Sequence, residues 1–154
     1  IETEITAQLT NDFRISAGYT YTDASFKEVS PAGAATGVSP GDVLPGTPES
    51  SGNLMGAYSR ELNNGWWLDI NGSLTYSDDR LSAIGNDDVL LSSYTLVNAS
   101  FSLSNENWSA TLFVDNLTDE DARLTALSDV TWGPLAPSVA RRPRTIGVRA
   151  TYSF

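Results

Sequence analysis

The stretch 141–154, RRPRTIGVRATYSF, alternates strictly from Thr145 onward. Ile146, Val148, Ala150, Tyr152 and Phe154 fall on one side, and Thr145, Gly147, Arg149, Thr151 and Ser153 on the other. Successive side chains of a strand point to opposite faces, so the pattern predicts a strand with one wholly apolar and one polar face. An aromatic stands at its last position and another two positions earlier. A soluble sandwich rarely ends a strand on a terminal Phe, whereas the closing strand of a membrane barrel commonly carries aromatics at interface level.

The same alternation recurs upstream. Ile1, Thr3, Ile5, Ala7 and Leu9 alternate with Glu2, Glu4, Thr6 and Gln8. After a turn signal at Asn11-Asp12, Phe13, Ile15, Ala17, Tyr19 and Tyr21 alternate with Arg14, Ser16, Gly18, Thr20 and Thr22. Residues 53–62 repeat the pattern least cleanly, because Arg60 falls on the apolar side. Asn63-Asn64-Gly65 is a hairpin turn, and the strand after it carries Trp66 at one end and Tyr76 at the other. About 10 residues tilted by about 45° cross an apolar band, so that spacing suits two interfacial girdles. Two more alternating runs, 95–103 and 108–114, flank the turn Asn105-Glu106-Asn107.

Seven strands are thus predicted, and their connections alternate in length. Short turns lie at 10–12, 63–65 and 105–107; long connections lie at 24–51, 78–93 and 117–144. The prolines at 31, 40, 45 and 48 exclude a central strand from the first long connection. Short and long in strict alternation is the pattern of an antiparallel transmembrane β-barrel with short periplasmic turns and long extracellular loops. The polar face has few large side chains and would make a poor packed core, so the expected arrangement is polar inward and apolar outward. That arrangement requires that Ile146, Leu68 and Phe101 not be sealed together in a dry centre. Single-chain bacterial barrels have an even number of strands, so seven imply part of a larger barrel. The start at Ile1 rather than Met fits a processed product or a fragment.

Composition narrows the chemistry. The net charge of −10 argues against a nucleic-acid partner. With no cysteine and no histidine, thiolate and imidazole metal sites, a Cys nucleophile and a Ser-His-Asp triad are excluded. No apolar run is long enough for a transmembrane helix.

Several stretches resemble the C-terminal barrel of TonB-dependent receptors. Glu2-Thr3-Glu4 and Tyr19-Thr20-Tyr21-Thr22-Asp23-Ala24 resemble the family's E-x-E and Y-x-Y-x-D-A strands. Leu44-Pro45-Gly46-Thr47-Pro48 resembles its loop motif, and Val114-Asp115-Asn116-Leu117-Thr118-Asp119 its recurrent V-x-N-L-x-D. Pro143-Arg144-Thr145 through Phe154 is similar to its terminal strand, with Ile146 where a tyrosine usually stands. The resemblance covers the whole chain. It implies an outer-membrane receptor of a Gram-negative bacterium that imports a scarce ligand, most often an iron–siderophore complex. Residues 1–154 would then be a C-terminal portion, without the plug domain, of a barrel of about 22 strands. The implied partners are outer-membrane lipid, the receptor's own plug and remaining strands, the barrel-assembly machinery, and an inner-membrane energy-transducing complex that pulls on an N-terminal segment. No enzyme activity and no cofactor are expected.

Candidate site residues follow from position. Arg80, Arg123 and Trp132 lie in or near outer loops, where arginine with an aromatic can hold an anionic, planar ligand. Glu2, Glu4, Asp69 and Arg149 face the lumen, as plug contacts or as hydrated lining. The resemblance assigns Tyr152 and Phe154 to a barrel-insertion signal; on the residues alone they form an interfacial girdle. Asp78, Asp79, Asp87, Asp88 and the run Asp119–Asp121 read as solvated loop charge, since no calcium-loop pattern is present. The N-x-[ST] matches at Asn71, Asn98, Asn107 and Asn116 read as accidental. Two alternatives stay open on the residues alone: a small self-contained outer-membrane barrel with a structural or adhesive role, and a soluble ligand-binding β-barrel.

Overall fold

The computed structural model describes residues 1–83, 85, 89–127 and 137–154; Trp132, Asp87 and Asp88 lie outside them. Seven long strands form one antiparallel sheet: β1 (Glu2–Gln8), β2 (Phe13–Tyr21), β3 (Ser50–Glu61), β4 (Trp67–Ser77), β7 (Tyr94–Ser104), β8 (Trp108–Asp115) and β11 (Thr145–Tyr152). Each pairs with the next in that order, which leaves β1 and β11 as the two edges. Register keeps like with like on each face. Ile5 stands opposite Ala17, Leu54 opposite Leu74, Ile70 opposite Phe101, and Leu112 opposite Val148. A slip of one residue would turn every apolar side chain to the other face, so this agreement pins the pairing.

The short turns have local causes. At the first, the Thr10 hydroxyl accepts the backbone N–H groups of Asp12 and Phe13, so threonine holds the turn beside the Asn11-Asp12 pair. At the second, Asn64 (φ 70°) and Gly65 (φ 75°) both adopt the left-handed region that asparagine and glycine tolerate. At the third, Asn105 Oδ1 accepts the N–H groups of Asn107 and Trp108.

The long connections hold more structure than their composition predicts. Residues 30–50, from which the prolines exclude a central strand, contain α1 (Pro31–Ala35). Ser30 caps it by accepting the Gly33 N–H, and Pro31 occupies a first-turn position where its missing N–H costs nothing. The second long connection contains the pair β5 (Arg80–Leu81) and β6 (Leu90–Leu91), and the third the pair β9 (Arg123–Ala126) and β10 (Ser138–Ala140). Two to four residues are too few for periodicity to show.

The apolar face of the sheet is not sealed. Ile146 is 68 % exposed, Val148 73 % and Phe101 42 %, and Leu68 is only half-buried. The buried apolar residues among those described are Val38, Leu91, Leu96, Ala122 and Ala126, which lie in the long connections or at the strand end beside them. Among the described residues the packed interior is therefore at the long-loop end, and none of them forms a dry centre under the sheet. Among the described residues no helix is long and apolar enough to cross a membrane, which says nothing of crossing by strands.

Candidate functional site

The polar face of the sheet is its concave face. A trough of about 710 Å³ is lined mostly by side chains of polar-face parity, among them Arg14, Ser16, Met55, Asn71, Ser73, Asn98, Ser100, Thr111, Phe113, Asp115 and Arg149. A second trough, of about 710 Å³, continues toward β1 past Glu2, Glu4, Thr6 and Asn53. Hydroxyls pair across the strands on this wall. Ser59 donates to Asp69 at 2.7 Å, and the Ser102 and Thr111 hydroxyls lie 2.7 Å apart. Small hydroxyl and amide side chains leave the wall open to water and able to bind polar partners along its length.

Two bulky apolar groups, Met55 and Phe113, interrupt it. Phe113 stands opposite Gly147, and its ring lies over that residue so closely that a Cβ there would collide with it. The Arg149 guanidinium sits 6.0 Å from the same ring's centre. Glycine at 147 is thus required by the close approach of an aromatic ring.

At the long-loop end the three connections are stitched together. The Gly46 N–H donates to the Leu81 carbonyl, and Gly85 packs against Thr36 and Val38, which joins the first connection to the second. The Ser82 hydroxyl accepts the Ala126 N–H at 3.1 Å and lies 3.3 Å from the Thr125 hydroxyl, which joins the second to the third. Arg80 spans the same joint. Its guanidinium donates to the Leu124 carbonyl at 3.0 Å and lies 5.6 Å from the centre of the Tyr94 ring. Ser77 and Leu96, both of polar-face parity, are buried at this end, so the loop cap leans over the concave side.

Asn116 anchors the third connection. It is buried, with φ at 54°, and its Nδ2 donates to the carbonyls of Glu120 and Arg142. Its Oδ1 accepts the Glu120 N–H, while its own N–H donates to Asn98 Oδ1, whose amide in turn reaches Ser73. Asp119 accepts the Arg144 N–H, and the Arg144 guanidinium returns to the Leu117 carbonyl. The two ends of the connection are thereby closed beside the rim of the wall.

Residues 1–117 match the family model described as TonB dependent receptor-like, beta-barrel. The chain belongs to this family. Its fold is similar to that of the siderophore receptor PiuA from Acinetobacter baumannii, with 22 % sequence identity and a TM-score of 0.74 over 97 % of this chain. At that identity the likeness shows the fold alone, and the chain spans only 20 % of that receptor's length. No curated protein matches it.

The TonB-dependent receptor barrel segment distributes the expected site residues unevenly. Glu2, Glu4, Asp69 and Arg149 all lie on the concave wall, but on different strands: β1, the central β4, and the far edge β11. They do not meet. Of the loop candidates, Arg80 is half-buried in the loop joint and Arg123 is exposed on β9; Trp132 is outside the described residues. Tyr152 packs against Trp108 (ring centres 4.7 Å) and Phe154 (5.9 Å), an aromatic cluster at the short-turn end. Among the described residues, no group of three or more acidic side chains could hold a metal ion, and Asp119 is engaged with Arg144. Sequence reasoning missed Phe113 and the Asn116 hub. Phe113 was visible as the one phenylalanine of polar parity, and Asn116 as the centre of V-x-N-L-x-D.

Proposed function

We propose that this chain is part of the barrel wall of an outer-membrane TonB-dependent receptor that takes up an iron–siderophore complex. The observation that carries the reading is the opposition of the two faces: an exposed apolar outward surface and a concave polar wall capped by joined loops at one end. Family membership and a fold shared with a siderophore receptor support it. The short-turn end then faces the periplasm and the loop cap faces outward in a Gram-negative outer membrane. The family is one of transporters rather than enzymes.

In this reading the chain supplies seven strands of a barrel of about 22, whose plug and remaining strands lie elsewhere in the receptor. Glu2, Glu4, Asp69 and Arg149 line the lumen and contact the plug. Arg123, exposed on the loop cap, contacts the anionic ligand, with Trp132 as its aromatic partner. Arg80 organises the loops on which they sit. The inner-membrane energy-transducing complex drives transport through the plug, and the barrel-assembly machinery reads Tyr152 and Phe154.

The test is uptake of iron-55-labelled siderophores by iron-starved cells carrying or lacking the full-length receptor. Uptake that requires the receptor and stops when the proton gradient is dissipated supports the proposal. Accumulation that is the same without the receptor, for every siderophore offered, contradicts it.

A further inference from the structure

The outward face of the seven long strands carries a single side chain of formal charge, Arg60 on β3. Its neighbours across the ladder are Leu68 and, beyond it, Leu103. One row further toward the short-turn end, the Leu62 N–H donates to the Trp66 carbonyl and closes the hairpin. Arg60 therefore sits about 7 Å, one two-residue step, inside an aromatic row. That is the depth at which a long basic side chain reaches headgroups while its stem lies on apolar surface.

Its only ion-pair contact among the described residues is a weak one. Nε lies 3.9 Å from Asp12 Oδ2, at the outer limit of an ion pair, with the two side chains 60 % and 39 % exposed. The guanidinium also has a hydrogen-bond partner in the Tyr58 hydroxyl, two residues back on the same outward face. Asp12 itself is held in place, since its carbonyl accepts the Ser59 N–H at 2.8 Å. The remaining donors of the fork project from an apolar surface, with the Asp12 carboxylate and the Tyr58 hydroxyl behind them. A planar guanidinium so placed matches the oxygens of a phosphate group.

We propose that Arg60 binds the phosphate of a phospholipid headgroup at the short-turn end of the sheet, with the lipid's acyl chains lying along the adjacent apolar face. Asp12 is a positioning residue that steers the guanidinium and, by its own charge, weakens its hold on the anion. The proposal rests on the barrel reading given above and adds a specific lipid site to it.

The experiment is native mass spectrometry of the full-length receptor in neutral detergent, titrated with phosphatidylglycerol or with inorganic phosphate alone. Retention of the first phosphatidylglycerol should weaken about fivefold in Arg60→Gln, be largely kept in Arg60→Lys, and strengthen in Asp12→Asn. Excess inorganic phosphate should not displace the lipid. Heat-modifiable migration of each variant confirms that the barrel is folded. Unchanged retention in Arg60→Gln overturns the proposal, and displacement by inorganic phosphate overturns the lipid as the source of the anion. Equal weakening in Asp12→Asn and Arg60→Gln reduces Arg60 to a structural ion pair and also overturns it. Failure of the barrel reading has a different signature: the full-length protein is monodisperse without detergent and binds no acyl-chain lipid at all.

Discussion

The carboxylate of Asp119 accepts the backbone N–H of Arg144 at 2.8 Å, across 25 residues of chain. Beside it, Asn116 reaches the carbonyl of Arg142. The stretch that ends β8 and the residues that begin β11 are therefore one structural unit, and in this chain residues 114–119 form a clasp that closes a long connection.

The clasp predicts a graded series. Asn116→Ala leaves the Glu120 N–H and two carbonyls without their partner in a buried setting, which costs about 1–3 kcal/mol, with about 1–2 kcal/mol more for the left-handed backbone. Arg144→Ala removes a half-exposed ion pair worth about 0.2–1 kcal/mol and a long, exposed hydrogen bond to the Leu117 carbonyl, and keeps the backbone bond to Asp119. In the full-length receptor, the temperature at which heat-modifiable migration is lost should fall far more for Asn116→Ala than for Arg144→Ala. Proteolysis within 117–144 should rise in the same order.

Phe113 and Gly147 predict a compensating pair. Gly147→Val drives the ring off its seat and should destabilise the full-length receptor by about 1–3 kcal/mol. Adding Phe113→Ala removes the clash, so the double variant should be more stable than Gly147→Val alone. A double-mutant cycle on thermal unfolding reads this directly, and additive losses would count against the contact.

The joint between the second and third connections predicts a cross-link. Ser82 and Thr125 bring their hydroxyls to 3.3 Å, so cysteines at the two positions would have their thiols close together. The double variant Ser82→Cys with Thr125→Cys should form a disulfide in the full-length receptor without added oxidant. It is visible as a reductant-sensitive shift after proteolysis between the two positions. Persistently free thiols would show that the loops sit apart.

The aromatic cluster at the short-turn end predicts an assembly defect. Tyr152→Ala with Phe154→Ala should lower the amount of folded full-length receptor in the outer membrane several-fold. The same change at Thr151 and Ser153, on the polar side, should leave that amount near normal.

The sheet was legible because a half-wet strand writes its two faces into alternate residues. All seven strands, the three short turns and the sidedness of Arg60 follow from that period, and Arg60 stood out as the residue that broke it. The loop elements were not legible, since α1 and the two-residue strands are too short to have a period. Nor was the role of Arg80, which reads as a free loop cation until Leu124 and Tyr94 are seen beside it. Asn116 and Asn98 read as accidental glycosylation matches. Their real role lies in side-chain bonds to distant backbone and to each other, which no local pattern reports.

The central claim is the direction in which the two faces look, and nitroxide accessibility measures it. Spin labels at Phe101 and Val148 on one face, and at Ser100 and Thr111 on the other, are placed one at a time in the full-length receptor in bilayers. The account predicts relaxation by dissolved oxygen at 101 and 148 and by a water-soluble nickel chelate at 100 and 111. The reverse assignment, or chelate access on both faces, would contradict it.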